Sequence, residues 1–214
     1  MRNARWLIVV ALLVPGIAGA GVVRGTLDVS RARARIAAAS AHQPDSISAP
    51  PEPLTEAVVC VEAIPAKLEH RLARRASPCM VVQQGGAFFP RTLCVPESTS
   101  VTFLNRDRVY HNVFSVSPAR RFDTGQYGPR ESRSVTLAGT GAVQLFCEIH
   151  PGESGFIFVV PNHAFTRTNS AGRFVLPNLP AGKYVLRAWH PTFGATTKEI
   201  VMPARGDAVV TIQL

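Results

Sequence analysis

The chain has 214 residues, of which 46% are hydrophobic and 17% are charged. This length suffices for one large domain or two small ones, and the composition excludes an intrinsically disordered chain. The formal net charge of +9 favours an acidic protein partner or an anionic membrane surface, although the arginine-rich runs at 31–35 and 69–75 are equally compatible with solvated segments. Neither run contains aromatic residues that stack on bases, so the sequence indicates no nucleic-acid partner.

The N-terminus has the organisation of an export signal. MRNAR is a basic start, WLIVVALLVPGIAGA is an apolar run, and Ala18-Gly19-Ala20 is a small-x-small cleavage motif. We expect residues 1–20 to be a signal peptide, and loss of their two arginines lowers the net charge from +9 to +7. The mature protein is then periplasmic or secreted. The alternative is an uncleaved membrane anchor, because Trp6 to Val23 is almost wholly apolar.

Two strands separated by a linker are predicted between the signal and residue 78. GVVRGTLDV (21–29) alternates as a first strand, and AVVCVEAI (57–64) is a second. The Ala/Arg-rich stretch after residue 30 predicts a turn or two of helix, followed by the Pro/Ser linker HQPDSISAPPEP (42–53). KLEHRLARR (67–75) is predicted to be a short basic helix or a loop.

From Cys79 onward the pattern is densely β, with short strands separated by Gly, Pro, Asn and Asp. No helix of any length is needed after residue 78, so the sequence predicts an all-β sandwich or barrel. The predicted strands up to residue 160 are CMVVQQ, RTLCV, SVTFLN, YHNVFSV, SRSVTLA, AVQLFCEI and FIFVV, and the tail from 166 to 214 adds further strands about Gly-containing turns.

One loop carries candidate metal ligands. In FCEIHPGESG (146–155), Cys147 offers a thiolate and His150 an imidazole, which suit copper, zinc and related ions. A lone C-x-x-H occurs often by chance. However, His111 begins a predicted strand 36 residues before Cys147, and strands distant in sequence bring their ends together in a sandwich. The three residues would form the His₂Cys set of blue-copper sites.

These segments resemble a known family. TFLNRDRVYHNVFSV with LFCEIHPGESGFIFVV is similar to plastocyanin-type cupredoxins, especially the exported plastocyanin-like proteins of methylamine utilisation, and FDTGQY and ESRSVT match in order. The resemblance covers roughly residues 79–160, within a predicted cupredoxin domain at 78–160. It implies a Greek-key cupredoxin sandwich that is an electron carrier, not an enzyme. It also implies one type 1-like copper ion, with His111, Cys147 and His150 as equatorial ligands, and a redox partner protein, acidic to suit the basic chain.

The chain departs from this family at the axial ligand. Members usually carry a methionine a few residues after the loop histidine, whereas Glu153 stands near that place and the methionines are Met1, Met80 and Met202. As a ligand, Glu153 would favour Cu(II) and lower the reduction potential, because a carboxylate is a harder donor. The alternatives are that Glu153 points to water and copper has no axial side chain, or that the site binds no metal. The missing methionine and ligation by Glu153 also suggest a second function, non-redox copper binding, and the third is a metal-free interaction module with Cys147 in a disulfide.

The cysteine count restricts these alternatives. The chain has four cysteines, so at most one intramolecular disulfide forms if Cys147 binds copper. Cys79 and Cys94 bracket a predicted hairpin and are the preferred pair. Pairing all four cysteines would exclude the metal.

The tail has a second resemblance. TNSAGRFVLPNLPAGKYVLRAWHP is similar to the carboxypeptidase-regulatory, transthyretin-like (prealbumin-like) sandwich, whose first strands are matched by VVRGTLDV and TEAVVCVEAI at the other end of the chain. We therefore predict a discontinuous sandwich of residues 21–65 and 161–214, into which the cupredoxin unit at 78–160 is inserted. The alternative is one larger sandwich with decorated edges.

Overall fold

The computed structural model describes residues 20–40, 53–74 and 78–214. The predicted signal peptide, residues 1–20, lies outside these ranges except for Ala20, and the linker lies outside them except for Pro53. Both therefore stay predictions. In the described ranges, no helix is long and apolar enough to cross a membrane.

Two α-helices lie in the described residues, both before residue 78. The first, α1 (Ser30–Ser40), begins where the Asp28 carboxylate accepts a hydrogen bond from the Ser30 backbone N–H, and this bond lowers the pKa of Asp28. It has 11 residues and exceeds the predicted turn or two, because alanine and arginine have high helix propensities and no glycine or proline interrupts them. The basic segment forms the second helix, α2 (Ala66–Ala73), which buries Leu68.

Nearly all other regular structure is β-structure, so the prediction of an all-β protein is confirmed, with one short 3₁₀ turn at Leu54–Glu56. The strands are β1 (Ala20–Asp28), β2 (Val58–Val61), β3 (Cys79–Gln84), β4 (Ala87–Phe89), β5 (Thr92–Pro96), β6 (Thr99–Asn105), β7 (Phe114–Ser117), β8 (Arg120–Asp123), β9 (Ser132–Leu137), β10 (Gly141–Phe146), β11 (Ser154–Val160), β12 (Phe165–Arg167), β13 (Arg173–Pro180), β14 (Gly182–His190), β15 (Gly194–Met202) and β16 (Ala208–Gln213).

The strands form four sheets. The sheets β13-β1-β16 and β12-β2-β14-β15 make up what we call the outer sandwich, which draws strands from before residue 62 and after residue 164. The sheets β5-β11-β10-β7-β8 and β4-β3-β6-β9 make up the inner sandwich, whose strands all lie between residues 79 and 160. This partition is compatible with the predicted boundaries of the two units, which stay a prediction.

Side-chain alternation explains how the two sandwiches stack. In β2, Val59 and Val61 face the core of the outer sandwich, whereas Val58 and Cys60 face the opposite way. Strand β11 of the inner sandwich alternates in the same manner between its own core and the other side. Both strands are therefore buried on two faces, which accounts for their almost unbroken apolar sequences.

The surfaces that face each other form a third apolar cluster, which we call the junction. Its centre is a stacked pair, Phe158 and Trp189, with ring centroids 4.6 Å apart. The Glu56 carboxylate accepts a hydrogen bond from the Arg91 guanidinium at 2.6 Å across the two sandwiches. The buried residues of the junction are Val58, Cys60, Cys94, Phe158, Val160 and Trp189.

The preferred disulfide between Cys79 and Cys94 is not formed. All four cysteines lie in the described ranges and none is in a disulfide. The predicted hairpin was wrong, because β3 pairs with β4 and β6 while β5 crosses to the opposite sheet and pairs with β11. Cys94 consequently lies in the junction, whereas Cys79 packs against the core of the inner sandwich.

Candidate metal centre

Neighbouring strand ends bring the predicted ligands together. Cys147 follows β10, and Glu153 precedes β11, its antiparallel partner, so the loop between them crosses one end of the inner sandwich. His111 lies shortly before β7, which pairs with β10 on its other side. The loop is closed by the Glu153 backbone N–H, which donates to the His150 carbonyl at 2.9 Å. One sheet therefore supplies all four side chains.

The ligand atoms form a compact set. One ligand atom each from His111, Cys147, His150 and Glu153 lies within 4.8 Å of the others. Cys147 Sγ is 3.8 Å from His111 Nδ1 and 3.7 Å from His150 Nδ1. Glu153 Oε1 is 3.2 Å and 3.4 Å from the same two nitrogens. Four ligands at about 2.0–2.3 Å from one ion in a tetrahedron stand about 3.3–3.8 Å apart, so the residues fit a metal ion.

The centre is enclosed on all sides but one. His111, Cys147 and Glu153 are at most 3% exposed, whereas the His150 side chain is 37% exposed. Water therefore reaches the ligands mainly past His150. Such enclosure lowers the local dielectric and strengthens each electrostatic interaction inside.

Glu153 has a buried oxygen without a hydrogen-bond donor. Its Oε1 is hydrogen-bonded by no group in the described part of the chain. The two histidine nitrogens lie within ion-pair distance of Oε1, but neither contact has hydrogen-bond geometry. A buried carboxylate without a counterpart is strongly unfavourable, and a cation between these four atoms would compensate it. The orphaned oxygen is the strongest sign of a metal site.

The orientation of His111 is fixed by a second carboxylate. His111 Nε2 lies 3.0 Å from Asp107 Oδ2, and the Gly85 backbone N–H donates to both oxygens of Asp107 at 2.9 and 3.0 Å. An ionised carboxylate only accepts, so Nε2 carries the proton and Nδ1 presents its lone pair to the centre. This carboxylate–histidine arrangement is typical of metal sites.

Glu153 is held by a buried chain of two side chains, Gln83 of the facing sheet and Tyr127, which lies between β8 and β9. Gln83 Nε2 donates to Glu153 Oε2 at 2.7 Å, and the Tyr127 hydroxyl donates to Gln83 Oε1. Burial, with the nearby Cys147 and Glu153, raises the pKa of the Tyr127 phenol well above its usual range, so the hydroxyl keeps its proton. Tyr127 and His111 also exchange backbone hydrogen bonds in both directions.

The structure thus brings together all four residues proposed from the sequence, and it answers one open alternative. The Glu153 side chain is buried and points into the centre, not to water. Sequence reasoning missed the supporting residues Asp107, Gln83 and Tyr127. Asp107 could have been proposed from the sequence, because it stands four positions before His111. Nothing in the sequence around Gln83 connects Gln83 with the Cys147 loop.

Comparisons with known proteins match the tail of the chain to one family. The family model of the carboxypeptidase regulatory-like domain matches residues 157–214, which confirms that resemblance for the tail. No curated protein matches the chain. Among solved structures, the chain is similar to a Cu-containing nitrite reductase from Thermus scotoductus SA-01, with 28% identity over 40% of this chain and 23% of the reductase and a TM-score of 0.37.

Two further similar structures are cupredoxins. A purple cupredoxin from Nitrosopumilus maritimus is 22% identical over 38% of this chain and 98% of its own, with a TM-score of 0.34. The Cu(I) form of an amicyanin mutant is 23% identical over 41% of this chain and 88% of its own, with a TM-score of 0.37. The described strands form two packed all-β sandwiches, and the carboxypeptidase regulatory-like match covers strands of the tail.

Proposed function

We propose that the protein is an exported cupredoxin that binds one copper ion at His111, Cys147, His150 and Glu153 and carries single electrons to or from a partner protein, without catalysing a reaction itself. The observation that carries this proposal is the geometry of the four ligand atoms, with the buried Glu153 Oε1 aimed at their centre and bonded to no other described group. Bound copper would supply a one-electron couple between Cu(II) and Cu(I).

The residues of the chain would determine how that couple behaves. Cys147 supplies a soft thiolate and the histidines supply imidazoles, a set that suits both oxidation states of copper. As ligands, Cys147 and Glu153 supply two negative charges. These charges neutralise Cu(II), whereas with Cu(I) they leave one excess negative charge. Because the pocket is buried, that excess charge is unfavourable, so we expect a low reduction potential.

Rigid positioning and one exposed edge favour electron transfer. His111, Cys147 and Glu153 are attached to the ends of packed strands, which limits rearrangement between oxidation states. The partly exposed His150 offers the shortest route for an electron to the surface. Arg106 and Arg108 are exposed on the segment that leads to His111, so an acidic redox partner would complement this end of the molecule.

The test is a copper titration of the protein without its predicted signal peptide. We expect one equivalent of Cu(II) to give an intense thiolate-to-copper band that is absent in Cys147→Ser. Cys79→Ser is the matched control, because Cys79 lies outside the centre and should leave the band intact. Failure of the wild type to bind copper stoichiometrically would refute the proposal.

The buried carboxylate favours a second candidate function, non-redox copper binding or transport. If Glu153 stabilises Cu(II) strongly, the bound ion resists reduction. A weakly coloured complex that binds copper but is not reduced by ascorbate would support this candidate. Rapid, reversible reduction of the complex would support the electron carrier instead.

A further inference from the structure

Gln83 connects the two halves of the inner sandwich beneath the candidate metal centre. It lies in β3, is 0% exposed, and reaches Glu153, which is 70 positions away in the sequence. Its amide group donates to Glu153 through Nε2 and accepts from the Tyr127 hydroxyl through Oε1. The resulting chain, Tyr127–Gln83–Glu153, is referred to below as the relay.

The relay has only one consistent direction. An ionised carboxylate accepts hydrogen bonds and cannot donate them, so the amide NH₂ of Gln83 must face Glu153. The amide oxygen must then face Tyr127, whose hydroxyl has to donate. Each group fixes the next. The relay consequently holds the Glu153 carboxylate in one orientation through Oε2.

The relay also determines which carboxylate oxygen is available. Oε2 is occupied by Gln83, whereas Oε1 has no hydrogen-bond partner among the described groups and lies near both histidine nitrogens. Glu153 is thus prepared to bind an ion through one oxygen. Tyr127 supports two of the candidate ligands: its hydroxyl acts on Glu153 through Gln83, and its backbone is hydrogen-bonded to the backbone of His111.

We propose that Gln83 and Tyr127 are positioning residues that hold Glu153 through Oε2, leave Oε1 as a one-oxygen ligand, and thereby select divalent metal ions over Cu(I). This inference rests on the proposed function, because it assigns the metal preference of the same centre. A carboxylate oxygen is a harder donor that favours a divalent ion, whereas the thiolate and imidazoles alone suit Cu(I). Loss of the relay therefore weakens divalent binding selectively.

The test compares metal affinities in the purified protein and its variants. Gln83→Leu removes all three hydrogen bonds of the amide, with Glu153, Tyr127 and the Asn112 carbonyl, whereas Tyr127→Phe removes only the hydroxyl. Gln84→Leu is the matched control, since Gln84 is the next residue of β3 and is exposed. Affinities for Zn(II) and for Cu(I) are measured separately by competition with chelators, and thermal unfolding by circular dichroism reports folding.

We expect Gln83→Leu to lower the Zn(II) affinity about ten- to a hundredfold, the range found for residues that support metal ligands. The Cu(I) affinity of Gln83→Leu should stay within about threefold of the wild-type value. Both metal affinities of Gln84→Leu should also stay within about threefold of the wild-type values. The Cu(II)/Cu(I) potential should rise by about 59 mV for each tenfold change in the affinity ratio. Tyr127→Phe should change each quantity in the same direction by a smaller amount.

The possible failures are distinguishable. If the wild type binds no metal, the proposed function is wrong. If the wild type binds metal and Gln83→Leu weakens Zn(II) and Cu(I) equally, or neither, the relay is overturned while the metal site stands. If Gln83→Leu does not fold, Tyr127→Phe decides, because it keeps the buried ring and removes a single hydroxyl.

Discussion

Substitution of Glu153 by glutamine should stabilise the metal-free protein and weaken its response to metal. Glutamine is isosteric with glutamate but carries no charge. Its side-chain oxygen can keep the hydrogen bond from Gln83, and its NH₂ group then occupies the place of Oε1, where the His111 and His150 nitrogens can accept. The substitution therefore removes a buried charge and satisfies the orphaned position in one step.

The magnitude follows from the burial of Glu153, whose side chain is 1% exposed. A buried polar group without a partner is unfavourable by about 1–3 kcal/mol, and by more when it is charged. We expect Glu153→Gln to stabilise the metal-free protein by about 2 kcal/mol. For a chain of this size, that corresponds to a rise of about 4–8 °C in Tm. If Glu153→Gln binds Zn(II) a hundredfold more weakly than the wild type, it loses about 2.7 kcal/mol of the stabilisation that excess Zn(II) gives the wild type. The wild type then becomes the more stable of the two proteins in Zn(II).

The assay is thermal unfolding of wild type and Glu153→Gln, each with a chelator and with excess Zn(II). We expect the variant to melt at a higher temperature than the wild type in chelator, and at a lower or equal temperature in Zn(II). A variant that is less stable than the wild type in chelator would refute the claim that the buried Oε1 destabilises the metal-free protein. A Zn(II)-induced shift equal to that of the wild type would refute the assignment of Glu153 as a ligand.

Three further predictions follow from other contacts. Asp107→Asn should lower metal affinity about ten- to a hundredfold in chelator competition, because His111 loses the carboxylate that fixes its tautomer; unchanged affinity contradicts this role. Phe158→Ala should destabilise the protein by about 3–5 kcal/mol in urea unfolding followed by Trp189 fluorescence, and a loss below about 1 kcal/mol would contradict a packed junction. Burial raises the pKa of the Cys60 thiol from 9.0 to about 12. The stability that the buried neutral thiol contributes is therefore complete below pH 9.0 and is lost as the pH rises towards 12. Cys60→Ala should make the alkaline loss of stability less steep, and an unchanged dependence of stability on pH would contradict this role of Cys60.

Local patterns predicted most strands of the inner sandwich and the four candidate ligands, whereas β4 and β8 were not predicted. Strands of the inner sandwich are short, apolar and separated by turn residues, so their positions follow from local pattern. His111 and the Cys147 loop stand at strand ends that the β-sandwich brings together. The orientation of Glu153 could not be predicted from the sequence, because it depends on Gln83 in the facing sheet. A single sequence does not show which residues make such a long-range contact.

The disulfide prediction failed for a related reason. Cys79 and Cys94 are close in sequence, which suggested a hairpin, but β5 crosses to the opposite sheet instead of pairing with β3. The side chain of Cys94 then faces the junction, a surface that exists only because two sandwiches stack. Local pattern predicts where a strand lies along the chain, whereas the partner of that strand is determined by packing.

The most direct test of the metal centre is a crystal structure of the copper-loaded protein, with anomalous diffraction recorded at the copper absorption edge. We expect one strong anomalous peak, within bonding distance of His111 Nδ1, Cys147 Sγ, His150 Nδ1 and Glu153 Oε1. A copper ion bound elsewhere, or Cys147 joined to another cysteine with no peak at the centre, would contradict the proposed metal centre.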